Sequence, residues 1–108
     1  MTVKELAEKY AFEIISMPDP DREVRGGYVG DLLSWVMGRA EADNAWITIM
    51  TNVNIAAVGS LADVAVIIIA DSAKPDAAVI ETALEKGVNI LLTDMTSYET
   101  AVRISGSV

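Results

Sequence analysis

Val64-Ala65-Val66-Ile67-Ile68-Ile69-Ala70 is an apolar run with no polar alternation, and it is β-branched through its middle. A run of this kind suits a strand buried on both faces, the situation of a parallel sheet covered by helices. It predicts the central strand of the fold, and the rest of the chain can be read outward from it.

Downstream, Pro75 stands where an early helical proline belongs. Val79, Ile80, Ala83 and Leu84 recur at helical spacing as a buried face, and Gly87 closes the helix. Val88 to Leu92 reads as the next strand. Thr96 with Glu99 forms a capping box that starts a final helix through about Ile104. Upstream, Ala45 to Met50 is strand-like. The segment between is ambiguous, since Asn54 to Gly59 also reads as a strand, but Ile55, Val58 and Ala62 recur with helical spacing. A helix is the reading adopted, with Thr51 or Asn52 as its cap.

A further helix is expected from about Asp31 to Arg39, with Leu32, Leu33, Val36 and Met37 on one face and Asp31 at its positive end. At the N-terminus Thr2 and Glu5 form another capping box, opening a short helix to about Tyr10. Phe12 to Ser16 reads as a strand that Pro18-Asp19-Pro20-Asp21 ends, because two prolines so close forfeit backbone hydrogen bonds. A second short strand is expected to run into Gly26-Gly27. Strands alternating with helices predict an α/β fold: a single three-layer domain over 1–108, with a mostly parallel sheet, helices on both faces and right-handed crossovers.

Composition narrows the function. The 108 residues suffice for one core. Hydrophobic residues make up 52% and aromatics only 6%, and mean hydropathy is positive. The aliphatic surplus exceeds the usual share for a soluble domain and leaves apolar surface for a partner, so a homodimer is expected. Sixteen acids against eight bases give a net charge of -8, which repels phosphate backbones and argues against nucleic acid. Cys and His are both absent, which removes disulfides, thiolate nucleophiles and the commonest acid-base and transition-metal ligand. Met1-Thr2-Val3-Lys4-Glu5 lacks a signal-peptide pattern. Even Ile55 through Ala70, read as one segment, is shorter than a bilayer span of about 20 residues and carries Asp63. A cytoplasmic location with no membrane partner is expected.

The run Asp21-Arg22-Glu23-Val24-Arg25-Gly26-Gly27-Tyr28-Val29-Gly30-Asp31 brings charge, glycines and a helix start together. With Ala45-Trp46-Ile47-Thr48-Ile49-Met50 and Thr51-Asn52-Val53-Asn54-Ile55, it resembles the DRTGG domain family, which is similar in turn to the N-terminal domain of HPr kinase/phosphorylase. The likeness runs over roughly residues 3 to 104. Glu23-Val24-Arg25 separates Asp21-Arg22 from Gly26-Gly27, so the family signature stands in stretched form. The resemblance implies an HPr kinase N-terminal-domain-like fold. It also implies a module found alone or beside cystathionine-β-synthase-type (CBS) and phosphotransacetylase domains, without a reaction of its own.

In an open α/β sheet, ligands bind at the carboxyl edge, where strands pass into helices. The loops assigned to that edge carry Arg25, Gly26, Gly27 and Tyr28, then Thr51, Asn52 and Asn54, then Asp71, Ser72 and Lys74, and finally Thr93, Asp94, Thr96 and Ser97. Glycine and helix-start amides there suit an anion, with Arg22, Arg25 or Lys74 supplying charge. The expected ligand-binding set is Arg22, Arg25, Gly26, Gly27, Thr51, Asn52 and Asn54. Each has a plainer alternative: tight turns for the glycines, surface ion pairs for the arginines, helix capping for the asparagines. Asp71 and Asp94 could share a cation or simply occupy turns. Trp35 and Trp46 suit core or subunit-interface packing better than base stacking.

Neither a dinucleotide fingerprint nor a phosphate loop is present, and no nucleophile-base spacing stands out. The chain is therefore expected not to be an enzyme and to carry no cofactor or metal. The leading expectation is a regulatory or ligand-sensing module for a small anionic metabolite or nucleotide. The alternative is an assembly subunit that acts through self-association and a protein partner.

Overall fold

In a computed structural model describing residues 1–108, Val66–Ile69 is the middle strand of a five-stranded sheet. The elements in chain order are α1 (Val3–Lys9), β1 (Glu13–Ser16), β2 (Gly27–Val29), α2 (Leu33–Arg39), β3 (Ala45–Thr48), α3 (Asn54–Leu61), β4 (Val66–Ile69), α4 (Ala77–Lys86), β5 (Ile90–Leu92) and α5 (Ser97–Ile104). The strands lie in the order β1-β5-β4-β3-β2, all parallel except β1, which runs antiparallel to β5.

Side chains of a strand alternate between faces, and both faces of this sheet are covered. Ile67 and Ile69 join Trp46 and Ile90 in a core with Val36 of α2, Ile55 and Ala56 of α3, and Val79 and Ala83 of α4. Val66 and Ile68 point the other way, against Val3, Leu6 and Ala7 of α1 and Ile104 of α5. That double burial is why β4 reads as an unbroken apolar run. The three layers and the mostly parallel sheet agree with the expected fold, and no helix is long and apolar enough to cross a membrane.

The structure departs from expectation around the glycines. β2 begins at Gly27 rather than running into it, so Arg25 and Gly26 lie at the amino edge of the sheet and Tyr28 lies within the strand. The loop ahead of β3 draws this segment in. Arg25 N-H donates to the Asp43 carbonyl, Asn44 Nδ2 donates to the Arg25 carbonyl, and Ala45 N-H donates to the Gly26 carbonyl. Gly26 has φ +69°, and a Cβ there would stand 3.3 Å from Asn44 Nδ2, while one at Gly27 would stand 3.2 Å from the Ala45 carbonyl oxygen. Close strand approach accounts for both glycines.

In α2 only Val36 is fully buried, and Leu32 and Met37 are exposed. The helix packs chiefly beside α3 and has little of the sheet to cover. Asp31 does not cap α2. Its carboxylate accepts from Thr48 Oγ1 at 2.8 Å and Ile49 N-H at 2.9 Å, tying the α2 entrance to the end of β3. Trp46 is core, its Nε1 donating to the Gly30 carbonyl at 2.8 Å. Trp35 is instead half exposed beneath the Arg39 guanidinium, 3.8 Å from its ring centre. In α4, Asp76 is the N-cap, Pro75 precedes it and Leu84 is exposed. Val53 is the N-cap of α3, and Asn52 supports the turn by accepting from Asn54 N-H.

Candidate functional site

Helices α2, α3 and α4 share one face of the sheet, and α5 lies on the other. The loop after β4 therefore leaves toward one layer and the loop after the adjacent β5 toward the opposite one. The two loops nonetheless stay hydrogen-bonded to each other, and the crevice at this carboxyl edge lies between them and the α1–β1 corner. The antiparallel β1 also starts there, with Glu13 paired to Leu92.

The crevice has a volume of about 460 Å³. Tyr10, Ala11 and Glu13 line it from the α1–β1 corner, Ser72 and Lys74 from the loop after β4, Leu92 to Met95 from β5 and its loop, and Arg103 from α5. Ala11, Asp71 and Ser72 have φ of 54°, 57° and 56°. Left-handed backbone in non-glycine residues is unfavourable by about 1–3 kcal/mol each and persists only where neighbours impose it. Here Asp71 N-H donates to the Met95 carbonyl at 2.8 Å, Ser72 N-H to the Thr93 carbonyl at 3.0 Å, and Ser72 Oγ to Asp94 Oδ1 at 2.6 Å. The two loops hold each other in this shape.

The charges in the crevice are unequally satisfied. The ion pairs of the chain join the N-terminal ammonium to Glu23 and Arg22 to Asp43 and Asp63. Lys74, Arg103, Glu13 and Asp94 take part in none of them, so two cations and two carboxylates face the crevice without an ionic partner inside the chain, Asp94 accepting only from Ser72 Oγ. Unpartnered cations beside backbone amides can take an anion, and charge-assisted hydrogen bonds are the strong ones.

The seven residues expected to bind a ligand are not brought together. Arg22, Arg25, Gly26 and Gly27 are at the amino edge, and Thr51, Asn52 and Asn54 are at the carboxyl edge, the length of a strand away. Arg22 is engaged structurally. Its Nη2 donates to Asp43 Oδ1 at 2.9 Å, to the Asp63 carbonyl at 2.6 Å and to Asp63 Oδ1 at 2.9 Å. Burial works to lower its pKa, but the hydrogen bonds and charges of Asp43 and Asp63 outweigh that and hold it above the usual arginine value. Gly26 and Gly27 border a second, apolar cavity of about 230 Å³ between β2 and the C-terminal half of α5. Thr51 meets the loop after β4, its carbonyl accepting from Asp76 N-H at 3.1 Å.

Among the crevice residues, Ser72, Lys74, Thr93 and Asp94 were readable as edge loops. Tyr10, Ala11, Glu13 and Arg103 were not, because they arrive through the antiparallel β1 and the crossing of α5. The one sequence signal for Arg103 is a base in the last turn of a helix, which also suits the helix dipole.

A family model for the DRTGG domain matches residues 35–107. That match omits the Asp21–Asp31 run and includes the crevice loops and α5. No curated protein matches the chain significantly. Among solved structures, the chain is similar to the CBS and DRTGG domains of the regulatory region of Clostridium perfringens pyrophosphatase, complexed with its activator diadenosine tetraphosphate. The TM-score is 0.70 at 17% identity, covering 94% of this chain and 44% of that one. At that identity the likeness carries the fold.

Proposed function

The chain belongs to the DRTGG domain family, and from that premise we propose that it is a non-catalytic regulatory module sensing a small anionic metabolite or nucleotide at the carboxyl edge of its sheet. One observation carries the reading: the crevice between the loops after β4 and β5 and the α1–β1 corner holds Lys74 and Arg103 without ionic partners. The similar pyrophosphatase region supports the regulatory class, since a nucleotide activator is bound in that region. Thr51, Asn52 and Asn54 lie at the same edge of the sheet without lining the crevice, and Arg22, Arg25 and the glycines lie at the opposite edge. Ser72 with Asp94 is a hydroxyl-carboxylate pair, but neither His nor Cys is available to complete an activated nucleophile. The module is assigned to the cytoplasm.

A second reading, assembly through self-association, is favoured by the edge strand β2. One side of β2 pairs with β3 and the other is unpaired, and Val29, Leu32, Trp35 and Met37 are exposed beside it. Unpaired edges and contiguous apolar surface are where second chains dock.

A thermal-shift panel of adenine and guanine nucleotides, cyclic dinucleotides, acetyl-CoA, acetyl phosphate and simple anions, with and without Mg²⁺, tests the sensing reading. The expected result is a saturable rise in melting temperature for one ligand class. Lys74→Ala or Arg103→Ala should remove that rise without lowering the melting temperature of the free protein. A flat response across the panel sinks the sensing reading and leaves the assembly subunit.

A further inference from the structure

The outer edge of β2 carries a hydrogen-bonding pattern that matches itself. β2 pairs with β3 alone. The Gly26 carbonyl accepts from Ala45 N-H at 3.0 Å and Gly30 N-H donates to the Ile47 carbonyl at 3.1 Å, so Gly26, Tyr28 and Gly30 turn their backbone groups toward β3. The residues between them turn theirs the other way, which leaves the N-H and C=O of both Gly27 and Val29 unpaired at the edge. Such an edge is a template for another strand. In an antiparallel ladder, two opposed residues about 5.5 Å apart at Cα exchange both bonds, and the next pair, at about 4.5 Å, exchanges none. Two copies set antiparallel about Tyr28 place Gly27 opposite the partner's Val29 and Val29 opposite the partner's Gly27, so every free group of the edge finds its mate. Moving the axis to Gly27 brings in Arg25, whose N-H and C=O are already held by Asp43 and Asn44. Moving it to Val29 brings in Asp31, which lies outside the strand.

Side chains and charges favour the same register. Gly27 and Val29 face the α5 layer, where they border the apolar cavity of about 230 Å³ together with Ile47, Ala101, Ile104 and Val108. Gly27 puts no side chain there, and opposed residues of a ladder point to the same face, so the partner's Val29 enters beside this gap. Val29 is 48% exposed in the single chain, and pairing covers that apolar surface. On the other face the Tyr28 ring lies over its own Gly30, where a Cβ would stand 2.8 Å from Cε2, so the two rings of a pair lean apart instead of colliding at the axis. Arg25 precedes the strand and Asp31 follows it, both exposed and neither in an ion pair. Antiparallel pairing sets each Arg25 toward the partner's Asp31, whereas parallel pairing sets like charges together. Both hydrogen bonds to Asp31 use Oδ1, which leaves Oδ2 for that cation. Complementarity between the two ends of one strand fits a second copy of this chain as the occupant, in a closed two-fold contact.

Resting on the assembly reading above, we propose that two copies join β2 to β2 antiparallel about a two-fold axis at Tyr28, making one continuous sheet in which the partner's Val29 closes the apolar cavity beside Gly27. The chain contains no Cys, so a single introduced thiol reports the register. Tyr28→Cys stands opposite its twin at about 4.5 Å, within disulfide range, whereas Val29→Cys stands diagonal to its twin at roughly 7–8 Å, outside it. Under mild oxidation Tyr28→Cys is expected to form a linked dimer about tenfold or more faster than Val29→Cys, and than Tyr98→Cys, an exposed collision control on α5. Hydrogen exchange on the native chain reads the same register without a substitution. The amides of Gly27 and Val29, left without acceptors by the pairing with β3, should be protected at high concentration and lose that protection on dilution. Faster linkage of Val29→Cys than of Tyr28→Cys overturns the register and keeps self-association. Equal linkage of all three variants with both amides unprotected is collision alone and overturns the pairing. A two-chain mass by light scattering with rapid exchange at both amides moves the contact off this edge and overturns the inference but not the assembly reading. A monomeric mass overturns the two together and leaves the edge to a strand of another protein.

Discussion

Arg22 joins the loops ahead of β3 and β4 by bonding Asp43 and Asp63, two residues whose backbones are left-handed. Removing the guanidinium leaves both carboxylates without their cation and both turns without a brace. Hydrogen bonds to charged groups contribute about 1.5–3 kcal/mol each when shielded, and partial exposure of Arg22 and its partners reduces that. Arg22→Met is expected to lower unfolding stability by about 1–3 kcal/mol in urea denaturation, whereas Arg25→Ala, exposed and in no ion pair, should stay within about 0.5 kcal/mol. Equal losses for the two would refute the brace. The bond partners of Arg22 lie 21 and 41 residues away, so no local pattern announces them. The buried Asn89 is a similar case. Its Nδ2 donates to the Asp19 and Ala65 carbonyls and its Oδ1 accepts from Asp19 N-H, pinning the proline loop to the sheet.

At the scale of elements, capping was legible because it is local. Both predicted capping boxes form, Thr2 with Glu5 at α1 and Thr96 with Glu99 at α5. The hydrogen bond from Thr2 backbone N-H, followed by that with its side chain, holds the Glu5 carboxyl below its ordinary value of 4.5. A lowered carboxyl pKa contributes stability that is present above the unfolded value and lost as pH falls through the folded one. The melting-temperature advantage of the native chain over Glu5→Gln should accordingly be full near neutrality and shrink toward zero in acid. An advantage independent of pH would assign it to something other than the charged box. Asp31 shows the limit of such reasoning. A helix N-terminus attracts a carboxylate, but Thr48 Oγ1 and Ile49 N-H at the end of β3 offer two direct donors, and they hold it.

For the whole molecule, the arrangement of strands decides what each loop can touch. Four parallel strands follow one another in order, and the helices that connect them keep to one face until α5 takes the other after β5. With β1 entering antiparallel beside β5, this places the crevice between the loops after β4 and β5 and the α1–β1 corner, and leaves β2 as an unpaired edge. If that edge pairs with a second copy, light scattering at micromolar concentration should give the mass of two chains, and Val29→Lys should give one, since a charge on an edge strand opposes pairing. A monomeric mass for the native chain removes the assembly reading. The apolar run of β4, the helical spacing of α3 and α4 and the capping boxes could be read directly from the residues, because their causes lie within one turn or one strand. The expectation that Arg25 to Gly27 and Thr51 to Asn54 share a site failed because it depended on which end of an edge strand the glycines occupy. Three residues of β2 carry too short a pattern to show direction or register, and pairing with β3 settled both. Burial on two faces is written in composition, whereas the meeting of Glu13, Lys74 and Arg103 depends on the antiparallel entry of β1 and the crossing of α5, long-range packing that no stretch of the chain encodes alone.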